Sequence, residues 1–246
     1  MAPSRPKLDR IKVPNRYDVL ADVLREKIFS GEYANGTVLP GERELVEQTG
    51  LSRGSVREAL RVLEAEGLVQ TRPGRYGGTI VHQGAERAIG RLVDLFIKGR
   101  RIKFETLLQT RQAIEPTLAE LAALNRTETD LSTLQEATLA LEQAHTDAEG
   151  DMASLNVSWH LAVAAASHNE LLTAFMNSIA SACLRASALE DYGSDELRKD
   201  LIRAHRRIFE AIEAQDAAAA HRRMARHLNA YSGELGEVAP REIELE

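Results

Sequence analysis

The chain has 246 residues, enough for two domains of ordinary size. Its one cysteine, Cys183, excludes an internal disulfide framework, and no apolar run approaches the roughly 20 residues of a membrane-spanning helix. The formal charge is −6, unevenly spread: residues 1–83 carry 13 Lys and Arg against 11 Asp and Glu, and the remainder 18 against 26. A mildly basic head therefore precedes an acidic body, which fits nucleic-acid contact confined to the N-terminal part.

Residues 1–15 are polar, basic and proline-bearing, and read as a mobile arm with no signal-peptide core. An amphipathic helix is expected from Arg16 to Ser30 through Tyr17, Leu20, Leu24, Ile28 and Phe29, ended by Gly31. Asn35-Gly36 marks a turn, and Pro40 suits the opening of the next helix, where its missing N–H costs nothing. Between Leu39 and Leu63, apolar Leu45, Val46, Leu51, Val56, Ala59, Leu60 and Leu63 fall at helical spacing, as two short helices packed across each other. Gly50 suits the left-handed end of the first, and Ser52 is a natural N-cap for the second. The second helix keeps Arg53, Ser55, Arg57 and Arg61 off its apolar stripe. Short strands are expected at Leu68 to Arg72 and Thr79 to His82, with Pro73-Gly74 and Gly77-Gly78 at the tip between them. This is the layout of a helix-turn-helix whose second helix enters the major groove, followed by a wing.

After a linker at 83–87 the pattern is helical almost throughout. Helices are expected at roughly 85–98, 103–124, 127–146, 150–167, 169–190, 195–214 and 216–235. Thr127 with Asp130, and Ser194 near Glu196, resemble N-terminal capping signals, and Asn169 reads as another N-cap. Cys183 lies in an apolar helical stretch and reads as a small buried hydrophobe. The fold class is mainly α: a winged helix-turn-helix over 16–82, then an all-α antiparallel bundle over 88–236 and a tail at 237–246.

Four polar positions fall on otherwise apolar helix faces. His205 interrupts the stripe of Leu197, Leu201, Ile208 and Ile212. His227 lies between Met224 and Tyr231. His160 flanks the stripe of Met152, Leu155, Trp159 and Val163, with Asn156 one turn before it. A lone inward histidine is usually a hydrogen-bonded core residue, but imidazoles converging from three helices suit a divalent metal. His221, His145, His168 and His82 are also available, and periodicity does not reject His221. Arg111 lies on the inward stripe of Phe104, Leu107, Ile114 and Leu118, where a guanidinium needs an anion. Glu115, one turn on, offers one, and a ligand carboxylate gripped bidentately is the alternative.

The L-P-G-E-R-E-L and L-S-R-G-S-V-R-E-A-L-R-V-L-E-A-E-G-L-V runs closely resemble the winged helix-turn-helix of the GntR family of bacterial transcription regulators. The helical remainder resembles the FCD-type ligand-binding domain of its FadR subfamily. The resemblance implies DNA contacts by Arg43 from the first helix of the motif, by Ser52, Arg53, Ser55 and Arg57 at the turn and recognition helix, and by Gly74 at the wing tip. Physics supports this, since Arg offers two forked donors to guanine and Ser donates to phosphate. The bland alternative for Arg57 is a surface pair with Glu58 or Glu64. For the second domain the resemblance implies a divalent metal, zinc, nickel or manganese, held by Asn156, His160, His205 and His227. Asn156 replaces the more usual Asp. Arg111, in an R-x-x-x-E-P segment, would line the effector pocket.

The expected protein is a cytoplasmic repressor that binds a palindromic operator as a homodimer and answers to a small carboxylate, such as a sugar acid or hydroxy acid. A metal-dependent hydrolase with a DNA-binding appendage is the rival, because three imidazoles and a water are also a catalytic arrangement. No H-E-x-x-H, no Ser or Cys nucleophile motif and no clear inward general base accompany them.

Overall fold

The computed structural model describes residues 15–72, 78–82, 85–144, 151–189 and 195–235. Expectations that fall elsewhere, namely the arm before Asn15, Pro73, Gly74 and Gly77 of the wing tip, linker positions 83 and 84, His145, the Ser194 cap and the tail from 237, lie outside the described residues. The chain divides into two compact units, Met1–Ala88 and Ile89–Glu246.

The first unit contains α1 (Arg16–Phe29), α2 (Glu42–Thr49), α3 (Arg53–Ala65), β1 (Val69–Arg72) and β2 (Gly78–Val81). Leu20, Leu24 and Ile28 of α1 meet Leu45 of α2, Val56, Leu60 and Leu63 of α3 and Val69 and Val81 of the hairpin in one core. Gly50 ends α2 in the left-handed region at φ 68°, its N–H returning to the Val46 carbonyl, a turn that a side chain would strain. The chain can then reverse into α3, whose first turn is capped by the Ser52 hydroxyl accepting from the Ser55 N–H at 3.1 Å. Pro40, contrary to expectation, does not open α2. Gly41 is the N-cap, extended at ψ 158°, and its carbonyl receives the Leu45 N–H. The strands pair antiparallel with Val69 opposite Val81 and Arg72 opposite Gly78, and Val38 bridges to Ile80 beside them.

α4 (Ala85–Arg100), which belongs to the second unit from Ile89 on, leads into α5 (Phe104–Asn125), α6 (Glu128–Ala144), α7 (Met152–Ala166), α8 (Glu170–Leu189), α9 (Asp195–Glu213) and α10 (Ala217–Leu235). Thr127 and Asp130 form a reciprocal cap on α6: the Asp130 N–H donates to the Thr127 hydroxyl, and the Asp130 carboxylate accepts from the Thr127 N–H. Asn169 caps α8 by accepting from the Leu172 N–H. Leu134 and Leu141 of α6, Trp159 and Val163 of α7, Ile208 and Ile212 of α9 and Met224 and Leu228 of α10 share one core. Trp159 is wholly buried, and its indole N–H donates to the Thr138 hydroxyl at 2.9 Å, so its polar edge is satisfied inside. A second cluster gathers Ile97, Leu107, Met176 and Ile179 around Cys183, which is buried as a small apolar residue. Among the described residues no helix is long and apolar enough to cross a membrane.

Candidate functional site

On the first unit the arginines at issue stand on the outer side of the helix pair. Arg43 and Arg57 are exposed, as expected of groups that meet DNA. Arg57 forms neither of the surface pairs open to it from sequence. Its Nε donates to Glu42 Oε2 on α2 at 3.1 Å, which ties the recognition helix to the start of its partner. Arg43 pairs with Glu47 at 2.9 Å, and Glu64 instead accepts from the Thr71 backbone at 2.9 Å. These contacts are solvated and cheap to exchange for phosphate. Ser52 and Ser55 lie 3.0 Å apart through their hydroxyls, beside the cap that Ser52 places on α3. Arg53 is exposed at the first position of α3.

In the second unit the bundle gathers the three histidines that interrupt its apolar faces. His160 on α7, His205 on α9 and His227 on α10 are all buried, and one ring nitrogen of each lies within 4.8 Å of the others. The packing of Trp159, Ile208 and Met224 into the common core sets the three helix faces toward each other. His160 Nε2 and His227 Nε2 are 3.4 Å apart. Two ligand nitrogens on one tetrahedral zinc, each about 2.05 Å from the ion, stand about 3.3 Å apart, so this spacing needs little adjustment. His205 donates from Nδ1 to the Leu201 carbonyl at 2.8 Å, which leaves its Nε2 a lone pair. That Nε2 is buried without a hydrogen-bond partner, and so is Asn156 Oδ1. An interior acceptor without a donor costs about 1–3 kcal/mol, and a cation is what two such acceptors suit. The donor set therefore fits a divalent ion, with Asn156 one turn before His160 on the same helix. His221 is excluded from the cluster, because it is half-exposed and its Nδ1 meets Glu120 at 3.1 Å.

Arg111 and Glu115 join this centre from α5. Arg111 Nε donates to Glu115 Oε1 at 2.5 Å, and Glu115 Oε2 lies 2.5 Å from His160 Nδ1. The second contact has hydrogen-bond length, though its direction departs from the ring N–H axis, so the oxygen and the nitrogen both lack an aligned bond. The sequence pattern offers Glu115 only as a partner for Arg111. Its approach to His160 depends on how α5 and α7 pack, and no spacing within α5 encodes it.

Burial pushes the Glu115 carboxyl upward, but Arg111 and His160 overcome it and hold the group at about 2. His160 is itself pushed below the ordinary imidazole value by burial; Glu115 opposes this and Arg111 adds to it. His160 is thus neutral near pH 7, and the guanidinium is the charge that keeps Glu115 ionised. His205 falls to about 3, chiefly through burial and then through the neighbouring His160. His227 falls well below the usual value through burial, His205 and His160. All three rings are neutral and able to act as ligands at neutral pH.

The model for bacterial regulatory proteins of the gntR family matches residues 16–81, and that of the FCD domain matches residues 106–230. The Uxu operon transcriptional regulator of Escherichia coli K12 is 33% identical over 220 residues, covering 86% of this chain and 83% of that protein. The HTH-type transcriptional regulator LutR of Bacillus subtilis is 32% identical over 206 residues, 82% of this chain and 92% of LutR. Among solved structures, a Streptococcus agalactiae GntR protein superposes with a TM-score of 0.73 at 26% identity, covering 89% of this chain and 99% of that one.

Proposed function

Because the chain belongs to the GntR family of bacterial regulatory proteins and carries an FCD domain, we propose that it is a cytoplasmic repressor released from DNA by a small carboxylate. It is a transcriptional regulator, as its relatives are, and not an enzyme. This disposes of the hydrolase alternative. In the proposal, residues 16–82 bind a palindromic operator, and residues 88–236 bind the effector and hold two copies together. Arg43, Arg53, Arg57, Ser52, Ser55 and Gly74 contact the duplex. A single winged head touches too little DNA for secure specificity, so two copies on half-sites about one helical turn apart or less are expected.

The observation that carries the effector reading is the convergence of three neutral, buried imidazoles, with the partnerless Asn156 oxygen one turn before His160 on the same helix. His160, His205, His227 and Asn156 would hold the ion, which when bound supplies a Lewis-acidic positive charge. Those four donors are neutral and Glu115 is matched by Arg111, so the protein leaves a divalent charge uncompensated. An anionic oxygen ligand answers that demand, and a sugar acid or hydroxy acid offers a carboxylate with a neighbouring hydroxyl. Arg111 would take the effector's far carboxylate. Tying α5, α7, α9 and α10 together need supply only about 1–3 kcal/mol of coupling to loosen DNA binding substantially.

A gel-shift titration on the gene's own promoter, run with zinc and a panel of sugar acids and hydroxy acids, tests this directly. Retarded DNA released by one acid only in the presence of metal is the expected result. Release that survives chelation of the metal refutes the bridging role, and no binding to the promoter refutes the repressor. Light scattering that gives a monomer at micromolar concentration refutes the dimer.

A further inference from the structure

We propose that Glu115 is the positioning residue of the histidine cluster, fixing His160 in the tautomer that turns its Nε2 lone pair toward the other two rings. The consequence for metal affinity rests on the metal reading above; the cause rests on the placement of three groups. A carboxylate gripped at 2.5 Å by the buried Arg111 guanidinium is an acceptor only. With Glu115 Oε2 at 2.5 Å from His160 Nδ1, off the ring axis but with both groups almost wholly buried, a lone pair on that nitrogen would lie against a second acceptor with no room for water between them. The ring proton therefore belongs on Nδ1, and Nε2, 3.4 Å from His227 Nε2, is left to bind a cation.

His205 reaches the same state by another route, its Nδ1 donating to the Leu201 carbonyl. Two rings are thus oriented from behind, one by a backbone acceptor that substitution leaves in place and one by a side chain that it removes. An ionised acceptor also raises the basicity of the nitrogen across the ring more than a carbonyl does, so Glu115 strengthens His160 as a ligand. Its other oxygen is bound to Arg111 at 2.5 Å, so the carboxylate cannot rotate away without releasing a buried guanidinium. Arg111 thereby holds the positioning residue in place.

The replacement Glu115→Gln discriminates this role from simple packing. An amide has one acceptor face and one donor face. Arg111 demands the acceptor, which turns the NH2 of the substituted side chain toward His160 Nδ1 and favours the tautomer with the proton on Nε2, where a metal cannot bind. The full-length protein, labelled with 15N at histidine and free of metal, should show His160 protonated on Nδ1 in the wild type. In the variant the proton should move to Nε2 while His205 is unchanged. Zinc affinity, measured by competition with a chromophoric chelator, should fall about 10–100-fold. A wild-type His160 protonated on Nε2 overturns the proposal whether or not the variant folds. Unaltered zinc affinity in the variant also overturns it, as does an equal disturbance of His160 and His205, which would mark Glu115 as packing alone. Failure of the wild type to bind zinc would remove the metal reading and the affinity consequence together, whereas the tautomer in metal-free protein judges the positioning role by itself.

Discussion

Acidifying the metal-free protein from pH 7 to pH 5 should destabilise the helical unit through its buried imidazoles. In the unfolded chain a histidine titrates near 6.5. In the folded unit His205 is held at about 3, and His227 lies well below its usual value, because burial penalises the charged ring. From about pH 6.5 downward the unfolded chain therefore binds protons that the folded one refuses, and stability falls as pH falls, for His205 until its folded ring itself protonates at about 3. A group held at about 3 removes about 2 kcal/mol between pH 7 and pH 5, a sizeable share of the roughly 5–15 kcal/mol of an ordinary domain, and His227 adds to it in the same direction. His160 acts in the same direction. Glu115, held at about 2 against an ordinary 4.5, contributes stability that is lost only below about pH 4.5, outside this window. Trp159 is the one tryptophan of the chain and lies edge-on to His205 with ring centroids 4.3 Å apart, so its fluorescence reports unfolding of this core. Urea titrations in the presence of a chelator at pH 7, 6 and 5 should show the midpoint falling steadily, and His205→Leu should remove about 2 kcal/mol of the dependence. A midpoint that is constant or rises over this range would show that the rings are solvated or charged in the folded state, contrary to the geometry.

Ser52→Ala removes the hydroxyl that caps α3 and should cost that helix about 1 kcal/mol, read as faster hydrogen exchange of its amides; unchanged exchange would contradict the cap. Arg57→Ala should lose about 1–3 kcal/mol on the operator with a smaller loss on random DNA if the guanidinium reads a base, and equal losses in fixed-salt gel shifts would make it a phosphate contact. Asn156→Asp adds a charged ligand where an orphaned amide oxygen stands, so calorimetry should show tighter zinc binding and weaker binding of an anionic effector; zinc affinity at or below the wild-type value would remove position 156 from the ligand set.

The sequence by itself determined the elements and much of what they carry. Gly50, Ser52 and the Thr127 and Asp130 pair act within one turn of chain, through backbone conformation and short-range hydrogen bonds, so their positions could be read locally. Helical periodicity likewise assigned His160, His205 and Asn156 to inward faces, because burial of an amphipathic helix follows its own stripe. Periodicity on α10 placed His227 on an apolar face without rejecting His221, and the packing of α10 along α5 buries His227 and leaves His221 with Glu120. Position 40 was misread because a proline before an N-cap and a proline at the first helical position satisfy the same local rule, and the extended Gly41 decides between them. The partners of Arg57 and Glu115 also came from the tertiary structure. Glu42 reaches Arg57 across 15 residues, and Glu115 reaches His160 from a different helix. Such contacts depend on where two separately formed helices come to rest, which is set by the fit of the whole core and not by any spacing along the chain.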